Sequence, residues 1–192
     1  VGKLKAVFFD LDDTVLKPRT FNPWAEFKEN HRLAPDLLIL DGIALRPPEE
    51  QALLHHQLLR YEQALSARSE LREGMVDLLG KLRNLGLPTA LLTNNHRAAT
   101  EIALQKHGLA FALVLTREDA LPKPSPALLQ RALDHFGLKP DEALYVGDSE
   151  GDLQAAQATK MTAWFLATPH NSTINPRFEY PEELIQALVQ RL

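Results

Sequence analysis

Five short, nearly unbroken apolar runs punctuate the chain: "KAVFF" (5–9), "TALLT" (89–93), "ALVLT" (112–116), "ALYVG" (143–147) and "TAWFLA" (162–167). Runs of this length without polar alternation predict strands covered on both faces, as in a parallel sheet. Helical periodicity lies between them. In "EGMVDLLGKLRNLG", Val76, Leu79, Leu82 and Leu85 fall at helical spacing and Gly86 ends the pattern. "RAATEIALQKHG" ends the same way at Gly108. "SPALLQRALDHFG" offers Ser125 as N-cap, Pro126 at the first helical position and Gly137 as terminator. "DSEGDLQAAQAT" predicts a helix after the fourth run, and "YPEELIQALVQRL" predicts one that closes the chain. From residue 73 onward this alternation predicts an α/β doubly wound, Rossmann-like fold, with a parallel sheet and helices on both faces. Ligands of such sheets sit at the carboxyl ends of the strands, near the point where strand order reverses.

Residues 17–72 interrupt the alternation. The first strand is not followed at once by a crossover helix. A stretch rich in Pro and aromatic residues comes next, then "EEQALLHHQLLRYEQALSARSE", in which Leu53, Leu54, Leu58, Tyr61 and Leu65 make an apolar stripe. A structureless loop of that size is uncommon, so a small helical insertion is expected over 17–72, with a core formed by 1–16 and 73–192.

Bulk composition narrows the function classes. The chain has 192 residues, which suits one domain with a small insertion, and 45% hydrophobic residues, enough for a core. A formal net charge of −4 gives no sign of a nucleic-acid binder. There is no cysteine, which excludes disulfides, thiolate zinc sites and a cysteine nucleophile and fits a reducing cytosol. No apolar run approaches the roughly 20 residues of a membrane span. The apolar stretch of "VGKLKAVFFD" is too short for a signal peptide and an acid interrupts it. A cytoplasmic protein with no membrane partner is expected.

Candidate chemistry gathers at the strand ends. The first strand delivers Asp10, Leu11 and Asp12; the second delivers Thr93, Asn94 and Asn95. Lys123 follows the third in "LPKPSP"; the fourth delivers Gly147, Asp148 and Ser149, with Asp152 one turn later. Parallel strands would put all of these on one sheet edge. Carboxylates so close repel one another unless a cation sits among them, and oxygen ligands suit a hard cation such as Mg2+. The lysine, the threonine hydroxyl and free backbone N–H groups suit a phosphate. A carboxylate can attack phosphorus, and a second carboxyl can protonate the leaving oxygen and later activate water. The composite reads as metal-assisted phosphoryl transfer. Locally, Pro124 biases Lys123 towards extended backbone, Gly147 permits close backbone approach, and Thr14 can fold its hydroxyl back on the turn. Asp13 reads as a turn residue.

These residues resemble the four motifs of the haloacid dehalogenase-like superfamily, in its phosphatase branch. Asp10-Leu11-Asp12-Asp13-Thr14 is similar to the family's D-x-D-x-T, Thr93 in "LLTNN" to its second motif, Lys123 in "KPSP" to its lysine, and "GDSEGD" (147–152) to its fourth. The resemblance implies that Asp10 is the nucleophile and a Mg2+ ligand. It implies that Asp12 is the general acid/base, with its carbonyl on the metal. Thr93, Asn94 and Lys123 would bind the phosphoryl group, and Asp148 would complete the metal site. Asp152 would hold a metal water or orient Lys123. Dehalogenases of the superfamily lack a carboxylate at the position of Asp12, so its presence favours phosphate chemistry. Position 13 is commonly glycine in this branch and is Asp13 here.

The insertion falls where phosphoglycolate phosphatase-like members carry a helical cap, which would move over the site and exclude water. The implied activity is Mg2+-dependent hydrolysis of a small phosphorylated metabolite through an aspartyl-phosphate, by a monomer or homodimer. A phosphomutase of the same fold and a non-catalytic binding scaffold are the alternatives.

Other residues divide more simply. His55 and His56 read as a solvated face. Trp24 and Phe27 read as packing within the insertion, and Arg97 as a surface residue beside His96. Asp148 could also cap the helix that follows it. Arg19, His31, Arg32 and Arg46 are all candidates to reach a substrate from the insertion, and the sequence does not choose among them.

Overall fold

The computed structural model describes residues 3–190. Its six-stranded sheet is built from β1 (Ala6–Phe9), β2 (Thr89–Leu92), β3 (Leu113–Leu115), β4 (Ala143–Gly147), β5 (Thr162–Leu166) and β6 (Arg177–Phe178). Strand order is β3-β2-β1-β4-β5-β6 and every pair is parallel. Winding therefore reverses between β1 and β4, where Phe9 lies beside Val146.

Strand alternation sends side chains into two layers. Val7, Phe9, Leu91, Leu144 and Val146 pack under α4 (Met75–Asn84), α5 (Arg97–His107) and α8 (Pro181–Val189). Ala6, Phe8, Ala90, Leu92 and Tyr145 pack under α6 (Ala127–Phe136) and α7 (Glu150–Thr159). This is the expected α/β doubly wound arrangement, with both faces of the sheet covered.

Three details differ from the sequence reading. The buried stripe of α4 is Met75, Leu78 and Leu82. Val76 is 59% exposed and Leu85 lies past the helix end at 45%. Gly74 turns the chain into the helix at φ +77° and thereby sets a different phase. The strand β6 carries no apolar run and was not expected. Pro126 precedes the first residue of α6 rather than occupying it, although Ser125 Oγ accepts from Ala127 N at 3.3 Å as a cap would. The closing helix was expected to reach Leu192; Arg191 and Leu192 lie outside the described residues.

Residues 17–72 hold α1 (Pro23–Asn30), α2 (Ile39–Ala44) and α3 (Pro48–Arg68) around a separate apolar cluster of Phe27, Leu33, Ile43, Leu54 and Leu58. Asn22 caps α1 through its side-chain oxygen, and Trp24 packs against the same cluster. Leu53 is 58% exposed, so the α3 stripe runs Leu54, Leu58, Glu62, Ser66 in steps of four and turns polar halfway. That polar half meets the core. Lys106 Nζ donates to the carbonyls of Ala67 and Ser69, each at 2.8 Å, and Ser69 Oγ lies 2.9 Å from His107 Nε2. The two connections to the core pair with each other: Leu16 bridges Leu71 antiparallel, Lys17 N donates to Glu70 O, and Arg72 N donates to Val15 O.

Candidate active site

Asp10 ends β1 with its N–H on Val146 O at 2.9 Å. The chain then makes one wide turn closed by Leu16 N on Leu11 O at 2.9 Å. Leu11 goes into the core. Asp13 takes the left-handed backbone at φ +57°, a conformation that glycine adopts most readily and aspartate tolerates. Its Oδ1 accepts from Arg19 N at 3.1 Å, which ties the turn to the start of the insertion. The guanidinium of Arg72 donates to the carbonyls of Asp13, Thr14 and Ala167, and so braces the same turn from behind. Thr14 does not fold onto its own turn as expected. Its hydroxyl donates across the sheet edge to Asp148 Oδ1 at 3.0 Å.

Lys123 is the hub. Its buried Nζ lies 2.5 Å from Asp10 Oδ1, 2.7 Å from Asp152 Oδ1, 2.7 Å from Tyr145 Oη and 3.0 Å from Leu92 O. Burial alone would lower the pKa of this ammonium, but Asp10 and Asp152 outweigh it and hold the pKa above the usual lysine value. Asp152 is wholly buried and every acceptor site is used. Oδ1 also accepts from Tyr145 Oη at 2.6 Å, and Oδ2 accepts from Asp148 N, Ser149 N and Ser149 Oγ. Ser149 and Asp152 thus cap α7 reciprocally. The cap is Ser149, not Asp148, so Asp148 keeps its carboxylate for the cleft. Gly147 lets α7 come this close: a Cβ there would sit 2.7 Å from Asp152 Cβ and Cγ. Of the two roles implied for Asp152, the one its contacts support is orienting Lys123.

The loop after β2 supplies the second wall. Thr93 is buried, and its Oγ1 accepts from Asn95 N at 3.1 Å. Asn94, expected at the phosphate, turns its side-chain amide to the backbone of Lys123. Its Nδ2 donates to Lys123 O at 2.7 Å and its Oδ1 accepts from Lys123 N at 2.8 Å, so the amide is spent on the backbone of Lys123. Asn95 Nδ2 donates to Asp12 Oδ2 at 2.6 Å, and Arg19 Nη2 donates to Asp12 Oδ1 at 2.5 Å. Both oxygens of Asp12 are therefore held, one from the core and one from the start of the insertion.

Electrostatics favour a cation. One carboxylate oxygen from each of Asp10, Asp148 and Asp152 lies within 4.8 Å of the others. Burial pushes Asp10 up to about 7, with Lys123 pulling the other way. Burial and then repulsion from Asp152, Asp10 and Asp13 hold Asp148 well above the carboxylate range, against the Thr14 hydroxyl. Asp152 lies below its usual value because Lys123, Ser149 and Tyr145 outweigh its burial. Two acids at the cleft are thus short of positive charge, and an all-oxygen donor set fits a hard divalent cation. The carboxylate of Asp12 is turned to Arg19 and Asn95, so its part in holding a cation would fall to its carbonyl.

Several residues of the site are ones the sequence does not single out. Asn95 was only the neighbour of Thr93, and Tyr145 read as plain strand core. Glu62 sits on the buried track of α3, where a charge at an i, i+4 core position is itself a signal. Its carboxylate receives Arg117 Nη1 and, at 3.3 Å, His96 N; Arg117 also reaches Asn94 O at 3.0 Å. Among the four basic candidates of the insertion, Arg19 is the one brought to the acids. Arg46 donates to His31 O and Arg32 O, and His31 packs on Phe27 with ring centroids 4.2 Å apart. His55 and His56 are exposed. His96 caps α5 through Nδ1, and Arg97 pairs with Asp119.

Comparison with known proteins agrees with this geometry. Residues 4–159 match the family described as haloacid dehalogenase-like hydrolase, and the chain belongs to that family. A phosphoglycolate phosphatase from Nitrosococcus oceani is 33% identical over 137 residues, covering 69% of this chain and 60% of that protein. One from Escherichia coli (strain K12) is 33% identical over 119 residues, 58% of this chain and 46% of that protein. The chain thus spans 60% or less of the length of these two curated relatives. Among solved structures, a HAD-superfamily hydrolase of subfamily IA from Geobacter sulfurreducens aligns over 97% of both chains at TM-score 0.68 and 26% identity. A hydrolase from Pseudomonas syringae aligns over 97% of this chain and 98% of its own at TM-score 0.79 and 24% identity. CbbY from Rhodobacter sphaeroides, solved with phosphate, aligns over 94% and 96% at TM-score 0.75 and 20% identity. The last two speak to the fold alone.

Proposed function

We propose that the protein is a Mg2+-dependent phosphatase that hydrolyses a small phosphorylated metabolite through an aspartyl-phosphate on Asp10. One observation carries the reading: Lys123 Nζ lies 2.5 Å from Asp10 Oδ1 in a cleft where Asp10, Asp148 and Asp152 converge within 4.8 Å. A buried cation beside a buried acid, with further acids facing them, is the charge pattern of a site that binds a phosphate and a metal together.

In the first step an oxygen of Asp10 attacks phosphorus. The phosphorus–oxygen ester bond breaks as the Asp10 oxygen–phosphorus bond forms, and Asp12 gives its proton to the leaving oxygen. In the second step Asp12 takes a proton from water, whose oxygen attacks phosphorus and releases inorganic phosphate and the Asp10 carboxylate. Lys123 and the Thr93 hydroxyl hold the transferring oxygens, and Asn94 keeps Lys123 in register from its backbone. Mg2+ held by Asp10, Asp148 and the Asp12 carbonyl would neutralise the acids and the phosphoryl oxygens. Residues 17–72 serve as a cap that limits access of water and sets the substrate range.

The relatives named phosphoglycolate phosphatase point to 2-phosphoglycolate as the first substrate to assay. Among the described residues no helix is long and apolar enough to cross a membrane. A cytosolic monomer or homodimer completes the proposal. The test is hydrolysis of p-nitrophenyl phosphate with and without Mg2+, by the wild type and Asp10→Asn. Activity that needs Mg2+ and is lost in the variant is the expected result. Wild-type rates in Asp10→Asn would rule out the nucleophile.

A further inference from the structure

The acids of the cleft meet one basic side chain that the phosphatase reading does not use. Arg19 lies in the segment between β1 and α1. Its Nη2 is bonded to Asp12 Oδ1 at 2.5 Å. Its Nη1 stands 3.7 Å from Asp13 Oδ1, too far for a hydrogen bond. Nη1 is the one buried side-chain nitrogen or oxygen among the described residues that has no hydrogen-bond partner. Tyr61 of α3 is near enough for its hydroxyl and the guanidinium to influence each other, so Arg19 sits between the acid cluster and α3. A guanidinium kept in a buried place with a donor unused is poised for an acceptor that arrives from elsewhere.

The geometry points to that acceptor. We infer that Arg19 binds a second anionic group of the substrate, a carboxylate on the carbon that bears the phosphate ester. This deepens the phosphatase reading and rests on it. As general acid, Asp12 must come within about 3 Å of the leaving oxygen. The guanidinium is one hydrogen bond beyond Asp12, so it falls within roughly 6 Å of that oxygen. A carboxylate on the adjoining carbon is two bonds from the ester oxygen, and one more hydrogen bond spans the rest. A longer acid would overshoot this position and a neutral alcohol would leave Nη1 unpaired. The planar fork of arginine also suits a carboxylate, which it can hold with two parallel bonds. The arriving carboxylate takes the unpaired Nη1, and Asp12 stays on Nη2 beside the leaving oxygen.

The test measures binding, without turnover, in the Asp10→Asn protein with Mg2+. By calorimetric titration, 2-phosphoglycolate is compared with ethyl phosphate, which keeps the carbon skeleton and lacks the carboxylate. With Arg19 present, the carboxylated ester binds about 10- to 100-fold tighter. In Asp10→Asn/Arg19→Met the ratio falls to within about threefold, and Arg19→Lys keeps part of it. The ratio is taken within each variant, so a general weakening of phosphate binding cancels. An unchanged ratio in Arg19→Met, or no preference with Arg19 present, overturns the inference. If the phosphatase reading itself is wrong, the wild type hydrolyses neither ester with Mg2+. If only the Arg19 assignment is wrong, both esters are hydrolysed and the preference survives the Arg19→Met change.

Discussion

Lys123 Nζ and Asp10 Oδ1 lie 2.5 Å apart although 113 residues separate them. The ammonium reaches Asp152 Oδ1 at 2.7 Å on its other side, so one buried cation ties the end of β1 to the first turn of α7. Replacing it leaves two buried carboxylates without their countercharge. Lys123→Met is expected to cost about 3–5 kcal/mol of stability, read from denaturant unfolding, and to abolish phosphate hydrolysis. An unchanged unfolding midpoint would mean that the pair is not formed in solution.

The closeness of Gly147 to Asp152 has a consequence for the same hub. A methyl at 147 would overlap Asp152 Cβ and Cγ at 2.7 Å, and neither α7 nor the capped carboxylate has room to give. Gly147→Ala is expected to cost about 1–3 kcal/mol by overpacking and to lower kcat at least tenfold by displacing Asp152 and with it Lys123. Wild-type kcat in a folded variant would show that Asp152 does not position the lysine.

The acids around Asp148 make the stability of the fold depend on pH. Burial and the neighbouring acids hold its carboxyl well above the ordinary range in the fold. Between the ordinary carboxylate value and that raised value the folded state binds more protons than the unfolded state, so stability falls as pH rises. Removing the charge removes that loss. Without metal, Asp148→Asn should melt above the wild type at pH 8, with the difference shrinking towards pH 4. With Mg2+ the wild type should gain more than the variant, because the metal supplies the missing positive charge. Equal melting temperatures at pH 8 without metal would contradict this account of the acid cluster.

Glu62 joins the insertion to the core through Arg117 and the N–H of His96. Glu62→Ala removes one member of a buried ion pair and is expected to cost about 3 kcal/mol. Hydrogen exchange should speed up along the second half of α3, where Lys106 and His107 also hold it. No change in exchange there would mean that the insertion is not anchored through this residue.

The parts of this molecule visible in its sequence are those governed by local pattern. Unbroken apolar runs located β1 to β5 to within a residue or so, and parallel strands then required Asp10, Lys123 and Asp148 to meet at one edge. What stayed hidden depends on partners distant in sequence. Tyr145 looks like any strand residue until Lys123 and Asp152 arrive at its hydroxyl. The side chain of Asn94 looks free until the backbone of Lys123 is found against it. Arg19, His31, Arg32 and Arg46 are equivalent on paper, and only the wide turn that carries Asp13 brings the first of them to Asp12. The phase of α4 is hidden because Val76 and Leu85 fit a stripe that the turn at Gly74 shifts. The strand β6 is two residues long and held by pairing with β5, so it has no pattern to read.

The nucleophile is the centre of the account, and one measurement addresses it most directly. The protein is mixed with Mg2+ and a phosphate monoester, quenched in acid within the first turnover, digested and analysed by mass spectrometry. The account predicts a phosphoryl group on the peptide that carries Asp10, absent in Asp10→Asn and discharged when the reaction is allowed to run before quenching. Turnover with no phosphorylated peptide, or a phosphoryl group on a peptide that lacks Asp10, would contradict it.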